Sequence, residues 1–64
     1  SRCSDASTRI AQIVIQWSDS PNNPAVIEKL RQALTQGIDA CSTANPQQAQ
    51  QFKSLLKVLP AKSK

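Results

Sequence analysis

Residues 23–41 read NPAVIEKLRQALTQGIDAC, and the rest of the chain is organised around them. Asn23 offers a side-chain oxygen to backbone N–H groups that have no partner at a helix start. Pro24, with no N–H to satisfy, suits the first helical position. Ile27, Leu30, Leu34, Ile38 and Cys41 then recur every three or four residues, which places them on one face of a helix over 24–41. Beside them runs a strip of small residues, Val26, Ala33, Gly37 and Ala40, that would let a neighbouring helix approach closely. Gly37 has two readings: a point of close approach inside a continuous helix, or a cap that ends the helix early. Continuity is preferred, because it keeps Ile38 and Cys41 in register with Leu34.

Working outward, Ala6, Ile10, Ile13, Val14 and Trp17 form a second stripe, predicting a helix over about 5–18 with Ser4 or Asp5 as its cap. Cys3, projected back one turn, falls on the same stripe. Ser18-Asp19-Ser20-Pro21-Asn22 is rich in turn residues, and Pro21 stops the helix. The Asn-Pro signal recurs at Asn45-Pro46 and opens a third helix over 46–58, with Ala49, Phe52, Leu55, Leu56 and Leu59 on its apolar face and Pro60 at its end. Gln48, three residues after Asn45, is placed for a capping-box contact. The expectation is an all-α domain over 1–59: an antiparallel hairpin of two helices, a third helix packed across it, and a flexible basic tail over 60–64.

Both cysteines point inward on this reading, at the same end of the hairpin. One disulfide between Cys3 and Cys41 would therefore clamp its open end. The rival reading is two buried free thiols in a cytosolic protein. Size favours the bridge, since a chain of 64 residues buries only about 60% of the surface its unfolded form exposes and needs a staple. With no His in the chain, two thiols do not make a zinc site, and no metal or other cofactor is expected. A disulfide implies an oxidising compartment, periplasmic or extracellular. The opening Ser1-Arg2-Cys3 reads as a mature start. A lipidated Cys3 fits poorly, because two residues precede it and Cys41 would be left odd. The longest apolar run, Ile13-Val14-Ile15, falls far short of the roughly 20 residues a membrane-spanning helix needs, so a soluble protein is expected.

Catalysis is not expected from this inventory. There is no His and no Tyr, and the acids are Asp5, Asp19, Glu28 and Asp39, none close to another in sequence. Glu28 reads as a charge suited to the first turns of the second helix. The serines have no base near them, and a single Gly cannot build a phosphate-binding loop.

Charge is unevenly spread. Over residues 1–39, Arg2, Arg9, Lys29 and Arg31 balance the four acids, so the whole net charge of +4 comes from Lys53, Lys57, Lys62 and Lys64. These lysines read either as a solvated face or as an edge that meets an anionic surface. Nucleic acid is not the expected partner, because both aromatics, Trp17 and Phe52, lie on core stripes and are not free to stack. A membrane surface is not expected either, since the apolar face of the third helix is needed in the core. Two large apolar residues fall outside the stripes: Ile15, opposite the stripe of the first helix, and Val58, next to the lysines in sequence. The function expected is a non-catalytic protein-interaction or adaptor module with Ile15 and Val58 as contact residues. The alternative is a small basic regulator that binds an acidic protein, membrane or nucleic acid through its C-terminal lysines.

Overall fold

A computed structural model describes residues 1–60, and the expected tail residues Ala61, Lys62, Ser63 and Lys64 lie outside the described residues. Three helices follow one another: α1 Arg2–Asp19, α2 Pro24–Cys41 and α3 Pro46–Val58. α2 is central, with α1 and α3 each packed against it. No Cα of α1 lies within 8 Å of one in α3, so those two helices meet through side chains. The Cα trace extends over 33 × 19 × 14 Å. Its long dimension is little more than the roughly 27 Å of an 18-residue helix.

Local chemistry accounts for the ends of α2 and α3. Asn23 is extended, and its Oδ1 accepts from the N–H of Ala25 at 2.9 Å and of Val26 at 3.4 Å. Asn45 Oδ1 accepts from the N–H of Gln48 at 3.2 Å. The capping-box expectation for Gln48 needs Asn45's own N–H, and that group donates to the Cys41 carbonyl at 2.8 Å instead. The same bond ties the end of α2 to the start of α3. Leu59, immediately before Pro60, is extended (φ −68°, ψ 146°), the conformation the proline ring imposes on its predecessor.

α1 begins a turn earlier than expected. Its cap is Ser1, whose Oγ accepts from the Ser4 N–H at 3.2 Å, and the Asp5 N–H donates to the Ser1 carbonyl at 2.9 Å. Ser4 and Asp5 thus lie inside the helix, with Asp5 in the first turn where the helix dipole favours an acid. Ser7 and Thr8 are accommodated because their hydroxyls donate to the carbonyls four residues back, at 3.0 and 3.2 Å.

The core joins all three helices: Cys3, Ile10 and Ile13 of α1; Leu30, Ala33, Leu34 and Cys41 of α2; Ala49 and Phe52 of α3; and Leu59 just beyond it. Val14, Trp17, Ile38, Leu55 and Leu56 pack against this core while partly exposed. Ile27, on the expected face of α2, is only half-buried. Cys3 and Cys41 form a disulfide, 38 residues apart in sequence and with Cα atoms 4.7 Å apart. Both are buried, Cys41 completely. The bridge joins the start of α1 to the end of α2, as the stripes required of an antiparallel hairpin.

Gly37 lies inside a continuous helix, and its φ is not positive. A Cβ there would stand 2.7 Å from Ile10 Cδ1 and 3.0 Å from Cδ2 and Cε2 of Phe52. Side chains of α1 and α3 therefore converge on the missing side chain of α2. The early-cap reading of Gly37 does not hold, because the helix runs on to Cys41.

Candidate functional site

The exposed positions follow from the chain order. Because α1 and α3 both run antiparallel to α2, they run parallel to each other. Ile10 and Phe52 mark one level, since both reach Gly37. Ile15 is five residues beyond Ile10 and Val58 six beyond Phe52, which puts them about 7.5 and 9 Å further along, at nearly the same height. That height is in the half of the molecule away from the disulfide.

Ile15 is 65% exposed and Val58 67%, and these are the large hydrophobic residues left uncovered among the described residues. They sit on α1 and α3, two helices with no Cα of one within 8 Å of a Cα of the other. Lys53 and Lys57 are exposed on α3, four residues apart and so in one row. Lys57, in the last turn, also complements the dipole of the helix. Lys62 and Lys64 lie outside the described residues. Cys3 and Cys41, bridged and buried, belong to the scaffold and offer no thiol to a reactant.

Arg31 has a role that sequence reasoning missed. Its Nη2 donates to the Pro60 carbonyl at 2.6 Å, and its Nε lies 3.6 Å from Glu28 Oε1. The i, i+3 pairing with Glu28 could have been read from spacing. The bond to Pro60 spans 29 residues and has no local signature. Together with the burial of Leu59, it pins the end of α3 to the middle of α2. Trp17 shows a second unforeseen feature: its Nε1 is buried without a hydrogen-bond acceptor among the described residues.

Among the described residues no group of three or more His, Cys, Asp or Glu is placed to hold a metal ion. Among the described residues no helix is long and apolar enough to cross a membrane. The surface thus offers two aliphatic points and a short lysine row on a covalently braced frame. No family model, curated protein or solved structure compared with the chain matches it. The class is what the fold itself defines: a small all-α domain of three helices with the first two joined by a disulfide.

Proposed function

We propose that the chain is a non-catalytic protein-binding or adaptor module of a secreted or periplasmic protein. The observation that carries this reading is the pairing of a disulfide-braced frame with Ile15 and Val58, exposed at one height while other large apolar residues turn toward the core. Burying either residue against a partner would contribute about 1–2 kcal/mol. A braced frame loses little conformational entropy on binding, so more of that gain appears as affinity. The bridge supports an oxidising compartment, since disulfides persist where thiols are kept oxidised.

Affinity capture from native extract with the oxidised domain tests the proposal, with reduced protein as control. Ile15→Asp and Val58→Asp should each keep the helical circular-dichroism signal and lose the captured partner. Capture undiminished by both substitutions would remove this surface from consideration.

A second reading, a basic regulator of an anionic surface, is favoured by one observation. Lys53 and Lys57 are exposed, and α3 contains no acidic residue. Moderate salt separates the two, since apolar docking survives it and a lysine-driven complex weakens steeply.

A further inference from the structure

We infer that the chain pairs with a second copy of itself across the open side of the gap between α1 and α3, an inference that rests on the protein-binding reading and names the partner. The bond from Arg31 to the Pro60 carbonyl places α3 on the flank of α2 that carries Arg31, about 100° round from the buried Leu30. α1, with no Cα within 8 Å of one in α3, takes the other flank, where Ala33 is buried. Both helices run antiparallel to α2, so their right-handed winding turns Val14 of α1 and Leu55 of α3 toward the gap. Burial agrees with this placement: Ile13 and Ala49, on the sides turned to α2, are buried, whereas Val14 and Leu55 are covered only in part. Ile15 stands about 100° beyond Val14 and Val58 about 60° beyond Leu55, each turned further from α2, so both rise on the rims of one face.

That face carries no charge among the described residues. Arg2, Asp5, Arg9 and Asp19 lie about 120° or more round α1 from Val14, and Lys53 and Lys57 lie about 160° round α3 from Leu55. The charged residues of α2 lie behind, about 100° or more from Leu30. An uncharged face asks for no charge in its partner, and a second copy offers the same face while the lysines and arginines of both copies stay in solvent. Ile15 and Val58 stand at nearly one height on two parallel helices. A two-fold axis running along the gap therefore lays α1 of each copy over α3 of the other. It sets Ile15 of each copy against Val58 of the other, the reciprocal contact of an isologous interface. α3 is 13 residues or about 20 Å long, and two helices side by side are about 20 Å wide, which gives a footprint of roughly 400 Å² per copy. About 800 Å² in all is less than a stable dimer buries, so the pairing is weak and reversible.

Sedimentation equilibrium of the oxidised full chain should give a mass of 7.0 kDa at about 10 µM and approach twice that at about 1 mM. Salt should tighten the pairing, since it screens the repulsion between two chains of net charge +4. Ile15→Asp and Val58→Lys should each stay monomeric at the higher concentration. Mixed together they should form a heterodimer, because the reciprocal contact sets the new carboxylate of one against the new ammonium of the other. Lys53→Gln with Lys57→Gln, on the far side of α3, should not weaken the pairing. The far-ultraviolet spectrum and melt of each variant verify its fold. A chain monomeric throughout, a dimer indifferent to both substitutions, or a mixture that stays monomeric would overturn the inference. If the chain stays monomeric while affinity capture depends on Ile15 and Val58, the face takes a different protein and this inference fails alone. If pairing and capture are both indifferent to these residues, the protein-binding reading fails with it.

Discussion

Ile10 Cδ1 occupies the space where a side chain on Gly37 would begin: a Cβ built there stands 2.7 Å away, well inside van der Waals contact. The glycine costs helix α2 about 1 kcal/mol in propensity relative to alanine. What it permits is the meeting of α1 and α3 over α2, since the Phe52 ring approaches the same point to 3.0 Å. Gly37→Ala should therefore lower stability by about 1 kcal/mol, the strain of overpacking outweighing the propensity gained. Ile10→Val removes the clashing Cδ1. A double-mutant cycle by urea denaturation should find the pair more stable than the sum of the single changes by roughly 1 kcal/mol. A coupling near zero would show that the strain is relieved elsewhere.

Reducing the Cys3–Cys41 bridge should cost roughly 4 kcal/mol, the chain-entropy estimate for closing a loop of this length. A domain of this size has little more than that to lose. Thermal melts followed at 222 nm with and without a phosphine reductant measure the loss. Intact mass should show the addition of two hydrogens on reduction. A melt indifferent to the reductant would mean that the apolar core suffices by itself.

Asn23→Ala and Asn45→Ala should each destabilise the domain by about 1 kcal/mol, because each leaves a helix-start N–H without its side-chain acceptor. The two caps stand at opposite ends of α2, so their effects should add in the double variant. Ser4→Ala should be close to neutral, since the cap of α1 is Ser1. Chemical denaturation of the four proteins checks all three statements.

Arg31→Met keeps the aliphatic stem and removes the donor to Pro60. It should cost about 1 kcal/mol. The accompanying sign is faster amide hydrogen exchange at Val58 and Leu59, with protection near Leu30 and Leu34 falling only by the global loss. Exchange accelerated uniformly along the chain would show that this contact does not act locally.

The parts of the fold legible in the sequence are those governed by near neighbours. Asn-Pro at positions 23 and 45 announced two helix starts, because capping acts within one turn. The spacing of Leu30, Leu34 and Cys41 announced a buried face, because side-chain direction repeats with the helical turn. The bridge was legible for the same reason, as each cysteine lies on its helix's stripe. The start of α1 was misplaced, since Ser1, Ser4 and Asp5 are all competent caps and the choice among them is not written in residue type.

The candidate surface divides in the same way. That Ile15 and Val58 point outward was readable from each helix alone, and so was the row formed by Lys53 and Lys57. That Ile15 and Val58 stand at one height came from the packing of α1 and α3 on α2. By itself the sequence determined the three helices, their inward faces and the pairing of Cys3 with Cys41, because periodicity and capping are local physics. Only the tertiary structure decided that Ile10 and Phe52 share the space over Gly37 and that Arg31 holds Pro60. Those contacts join residues far apart in the chain, and they exist only once three helices are brought together at fixed distances.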